Sequence, residues 1–202
     1  MNMMYTNGSL ANETSKPRAG DICVLLAPSY EQASLVRQRL AEMQQEFKGF
    51  LNPTPYLQLQ RFRIGKEALD ALRPSLRSVA QQTASLDILA QSLEPFYSTL
   101  RSKELLKCRV DVSVLEGLFK LLTITLLDGK ITPLEFELHS HVTMLEDVQM
   151  LRLKTKPYKQ LLFTAQRLVI VKLKGPGFYT ALFSLPLAGC ETEETRAEQG
   201  HL

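Results

Sequence analysis

With 202 residues, 24 Lys and Arg against 21 Asp and Glu, and a formal charge of +3, the chain is long enough to bury one ordinary core. It is too nearly neutral for composition alone to imply a nucleic-acid partner. Cys23, Cys108 and Cys190 cannot all pair, show no metal-type spacing, and two of them fall in apolar runs, so they read as small hydrophobes in a reducing, cytoplasmic setting. No apolar run reaches the ~20 residues of a membrane helix, and residues 1–20 are too polar for a secretory signal.

Residues 1–20 read as a disordered leader, 21–188 as a single domain and 189–202 as a disordered acidic tail. The run DICVLLA at 21–27 predicts a buried strand. Ser29 followed by Gln32 makes a capping box, opening a helix with an apolar face of Ala33, Val36, Leu40, Met43 and Phe47 that Gly49 is placed to end. After a turn through Asn52, Pro53, Thr54 and Pro55 comes a strand at 56–62 (YLQLQRF), with Leu57 and Leu59 inward and Tyr56, Gln58 and Gln60 outward. Residues 65–82 predict a second amphipathic helix through Leu69, Leu72, Leu76 and Val79, with Pro74 kinking or splitting it. Residues 86–92 follow as a strand, closed by Pro95.

The second half repeats the order. Leu106, Cys108, Val110 and Val112 alternate with Lys107, Arg109 and Asp111 as a half-buried strand. Ser113 with Glu116 makes another capping box, opening a helix through Leu118, Leu122 and Leu126 that Gly129 can end. The stretch LEFELHSHVTML at 134–145 alternates throughout, placing Glu135, Glu137, His139, His141 and Thr143 on one face of a strand. Residues 148–159 carry no single pattern, while 167–174 and 178–185 are strands joined by Gly175, Pro176 and Gly177 as a hairpin.

Ser29 lies 27 residues before Tyr56, and Ser113 lies 28 before His141. Over that spacing the quartet Tyr56, Leu57, Gln58, Leu59 answers His141, Val142, Thr143, Met144, polar at the first and third places of each. A strand-helix-strand unit is therefore read twice. An imidazole and a hydroxyl two residues apart suit a phosphate: one gives or takes a proton near neutrality, the other donates to a phosphoryl oxygen.

The quartet HVTM at 141–144, the doubled unit, and the ending FTAQRLVIVKLKGPGFYTALFSLPL at 163–187 resemble the two-histidine phosphoesterase superfamily, and within it the 2′-5′ RNA ligase-like, cyclic phosphodiesterase branch. The resemblance implies an α+β (mixed α/β) fold of two pseudo-symmetric lobes, with antiparallel sheets around a central cleft. It implies metal-independent attack on a 2′,3′-cyclic phosphate by two HxTx motifs, with no cofactor. His141 and Thr143 carry one motif; the matching positions of the other hold Tyr56 and Gln58. Tyrosine titrates near 10 and is a poor base at neutral pH, although it can donate to a phosphate. His139 lies on the same face as His141 but has no counterpart in the resembled motif, and a metal site on His139 and His141 would find a third ligand only in Glu135 or Glu137 of that face, where closed sites need three or four. Arg61, Arg63, Arg109 and Arg152 are candidates for the backbone of an RNA end. The expected ligand is an RNA end or cyclic nucleotide, met by a monomer with no membrane contact. Two classes stand side by side: a weak or altered cyclic phosphodiesterase, and a silent relative that binds in the same groove or serves as an interaction module.

Overall fold

The computed structural model describes residues 17–47, 56–98, 103–132, 139–144, 156–175 and 178–190. Six apolar residues in a row give β1 (Ile22–Ala27), which is buried along its whole length. Ile22, Val24 and Leu26 enter the main core, while Cys23 and Leu25 face a second cluster on the opposite side of the sheet. A strand with two dry faces needs partners on both edges. They are β2 (Leu57–Phe62) and β7 (Arg167–Gly175), both antiparallel to it.

With β8 (Phe178–Pro186) these strands form a sheet ordered β2-β1-β7-β8. A second sheet is ordered β5-β4-β3-β6, from β3 (Leu86–Ser98), β4 (Lys103–Val110), β5 (His139–Met144) and β6 (Lys156–Ala165). All strand pairs within both sheets are antiparallel. The helices are α1 (Tyr30–Phe47), α2 (Lys66–Gln82) and α3 (Glu116–Asp128). The fold is mixed α/β with two matching halves: β1-α1-β2 and β4-α3-β5 each run from an inner strand through a helix to the edge strand beside it. One apolar core joins both sheets to residues of all three helices. No helix among the described residues is long and apolar enough to cross a membrane.

Ser29 caps α1 as expected, its Oγ accepting the Gln32 backbone N–H at 3.2 Å. Ala33 and Val36 are buried; the side chains of Leu40, Met43 and Phe47, the Asn52 to Pro55 turn, and Gly49 lie outside the described set. In α2 the face Leu69, Leu72, Leu76 and Val79 is buried, with Ala80 added. The helix runs through Pro74 without ending. Leu72 and Leu76 on either side are both fixed in the core, which offsets the roughly 3 kcal/mol an interior proline costs.

Four expectations are corrected. Ser113 does not cap α3: its backbone N–H and its hydroxyl both donate to Asp111 Oδ1, at 2.9 and 2.7 Å. The carboxylate two residues upstream holds Ser113 in an Asx turn, so the chain enters α3 through a 3-10 turn at Ser113–Leu115. Pro95 does not close β3, which continues to Ser98. Pro95 sits inside the strand, opposite Leu106 of β4. β6 is a full strand beginning within the stretch that showed no single pattern. Gln60 is not outward: it is fully buried, donating from Nε2 to Thr123 Oγ1 of α3 at 3.1 Å.

A bulge explains Gln60. Leu25 pairs with Gln58 and Val24 with Gln60, leaving Leu59 as the extra residue. Beyond it the alternation inverts. Gln60 therefore joins Val24 on the core side, while Arg61 comes opposite Cys23 on the other.

Arg61 is 1% exposed and places Nη1 2.6 Å from Asp21 Oδ2, while Arg63 places Nε 2.7 Å from Asp21 Oδ1. The Arg18 backbone N–H also donates to Asp21 Oδ2, at 3.0 Å. Burial pushes the Asp21 carboxyl up, but the hydrogen bonds from Arg63, the Arg18 backbone and Arg61 outweigh it and hold the group below the usual carboxylate range. A carboxyl lowered on folding stabilises the protein above its unfolded value, and that contribution fades as pH falls through the folded one. Removing one partner of a buried pair strands the other charge, so Asp21→Asn should cost about 3–5 kcal/mol at pH 7. Urea unfolding of both proteins checks this, and their difference should narrow only below about pH 4. An equal gap at every pH would show that ionisation of Asp21 does not matter.

Candidate functional site between two edge strands

The bulge at Leu59 leaves Gln58 opposite Leu25, over the second apolar cluster of Cys23, Leu25 and Val171. Tyr56, Val169 and Tyr179 pack against the same cluster. Tyr56 and Tyr179 meet edge to face, with ring centroids 5.7 Å apart and planes at 89°, a favoured aromatic geometry. The Tyr179 hydroxyl donates to Gln58 Oε1 at 3.3 Å. Two of the expected site residues are thus brought together on the side of the sheet away from the main core. A third residue that sequence reasoning missed, Tyr179, ties them. Its strand was legible, but only the register that sets β8 beyond β7 and β1 shows that its ring reaches β2.

β5 is the edge of the other sheet, and it pairs with β4. Of the expected strand at 134–145, residues 134–138 and 145 lie outside the described set, as do the side chains of His139, His141 and Thr143. Backbone register places His139 opposite Arg109 and His141 opposite Lys107. On the far side of β4, Arg109 is opposite Ser92 and Lys107 opposite Glu94. Directly opposed residues share a sheet face, so both histidine positions fall in one row each with a basic position of β4. Thr143 stands opposite Leu106, next to Lys107, with Val142 as the extra residue of a bulge. The unbroken alternation expected from His139 to Thr143 is therefore interrupted inside the quartet, where a bulge re-aims the strand.

β2 and β5, edge strands of different sheets, approach each other to within 8 Å between Cα atoms at several residue pairs. The strands carrying the two matched quartets thus meet. No protein-family model matches this sequence, and no curated protein matches it. Solved structures do match. TT0787 of Thermus thermophilus aligns with a TM-score of 0.57 at 14% identity, over 84% of this chain and 98% of that one. E. coli LigT complexed with NADP+ aligns at 0.57 and 15% identity, over 85% and 99%, and LigT complexed with phosphate at 0.53 and 14%, over 85% and 99%.

The fold is that of LigT. The expected two-lobed architecture is accordingly the observed one, and the likeness to LigT covers 85% of the chain.

The basic candidates separate. Arg61 does not line this site: it is buried against Asp21, which removes it from any ligand's reach. Arg63 keeps a 41% exposed side chain while Asp21 holds its Nε. Arg109 is placed by register beside His139, and Arg152 lies outside the described residues. Lys107, an outward position of the alternating strand read from sequence, stands opposite His141.

Proposed function

We propose that this protein binds phosphate-bearing RNA ends or cyclic nucleotides between β2 and β5 and opens 2′,3′-cyclic phosphates slowly and without a metal. The observation that supports it is the meeting of the two edge strands that carry the matched quartets, in a fold whose LigT representatives are complexed with phosphate, 3′-AMP, ATP and NADP+. In-line opening of a cyclic phosphate needs one group to take the proton of the attacking water and another, across the phosphorus, to protonate the departing oxygen. His141 takes the first role as a neutral imidazole. Tyr56 takes the second as a weak acid, while Gln58 donates to the non-bridging oxygens. The mismatch between tyrosine and the task is what makes the reaction slow.

The Tyr179 to Gln58 hydrogen bond favours a second reading, in which the groove retains ligand affinity and has no turnover. Hydrolysis of 2′,3′-cyclic AMP in the presence of a chelator separates the two. A positioned acid or base is worth about 10²–10⁴ in rate, so Tyr56→His with Gln58→Thr should raise turnover by that order. His141→Ala in the same background should abolish the gain. A parent that is already fast and is silenced by His139→Ala would make the two histidines of β5 the working pair instead. No turnover from either folded protein would leave the binding reading standing.

If the ligand is an RNA end, affinity for a short single strand bearing a 2′,3′-cyclic phosphate should fall as salt rises, through counterion release. Lys107→Ala and Arg109→Ala should each flatten the log-log slope by ~0.7, whereas an Arg61 substitution should lower stability instead. Affinity that does not change between low and moderate salt would remove RNA as the partner.

A further inference from the structure

We infer that Tyr179 is a positioning residue of this site: by holding the Gln58 carbonyl oxygen it turns the Gln58 carboxamide into a donor-only arm for a phosphoryl oxygen. A glutamine amide presents an acceptor at one end and two donors at the other, and its terminal torsion is nearly two-fold. Which end faces a ligand is decided by what the other end is bonded to. Here the Tyr179 hydroxyl donates to Oε1 at 3.3 Å, and the Gln58 side chain makes no other hydrogen bond among the described residues. Both N–H groups of Nε2 therefore stay available. The tyrosine is itself fixed: its ring and that of Tyr56 meet edge to face, centroids 5.7 Å apart, and it rests on Cys23, Leu25 and Val171.

The arrangement has a chemical consequence. An amide free to turn offers an anion its carbonyl oxygen half the time, which repels it. An amide locked by its oxygen offers donors only, which match the non-bridging oxygens of a phosphate and reject a group that must be hydrogen-bonded as a donor. Gln58 so held is the neutral counterpart of a threonine hydroxyl at that place, with longer reach. Selectivity for anions on this side of the groove then depends on a residue at the far edge of the sheet, two strands lying between it and the one that touches the ligand. The inference rests on the reading of the groove as a phosphate site and adds the device that orients it.

Calorimetric titration with 2′,3′-cyclic AMP and with inorganic phosphate tests it on four proteins: the parent, Tyr179→Phe, Gln58→Met and the double variant. Tyr179→Phe keeps the ring and its packing, and should weaken binding ~3- to 10-fold, the worth of one ordinary hydrogen bond. In the Gln58→Met background the same change should do nothing further, because Tyr179 acts through Gln58. Gln58→Glu should keep the Tyr179 hydrogen bond and the thermal midpoint yet lose phosphate binding, since a carboxylate then faces the anion. Equal losses from Tyr179→Phe in both backgrounds, or tight binding by Tyr179→Phe, would overturn the inference while leaving the site intact. A parent that binds neither probe would overturn the site, and the inference with it.

Discussion

β1 has no wet face, and the rest of the molecule is arranged to satisfy that. One side of it packs into the core shared by both sheets and residues of the helices. The other side, Cys23 and Leu25, is covered by side chains of its own sheet, among them Tyr56 and Tyr179. The aromatic groups that edge the candidate site therefore have a packing task before any chemical one. A tyrosine suits that double demand because its ring is apolar and only its tip is polar. The place where the resembled motif carries histidine can thus hold Tyr56 with no loss to the sheet beneath it.

Much of the architecture is local and was legible. β1, the buried faces of α2 and α3, the Ser29 cap and the pairing of β7 with β8 all follow from periodicity and end signals within a dozen residues. What was not legible depends on partners distant in sequence. Ser113 looks like a cap until Asp111 is seen to hold it. Pro95 looks like a strand end until β4 is seen to pair with β3 on both sides of it. Gln60 looks wet until a one-residue bulge turns it under α3. Arg61 looks like a ligand contact until Asp21, 40 residues earlier, is found to occupy it.

The candidate site divides along the same line. That the quartets at 56–59 and 141–144 belong to equivalent strands is a matter of spacing and pattern, and the topology puts both strands at sheet edges that meet. Tyr179 and Lys107 escaped notice because each is identified only by strand register: one by the order of β2, β1, β7 and β8, the other by the pairing of β4 with β5. Bulges compound the difficulty. A single extra residue, at Leu59 in one edge strand and Val142 in the other, breaks the alternation from which sequence reasoning assigns faces.

The order of strands also bears on how the chain assembles during synthesis. β1 and β2 leave the ribosome close together, but the other neighbour of β1 is β7, with Ile22 opposite Lys172. Until that distant segment arrives, β1 has one long side of unpaired peptide groups and two apolar faces without their full cover. Pairings this far apart in sequence close slowly, and half-made sheets with bare apolar edges are the species that stick to one another. Throughout the synthesis of everything between β1 and β7 the most apolar strand stays unfinished, and in that interval it is open to contact with other chains.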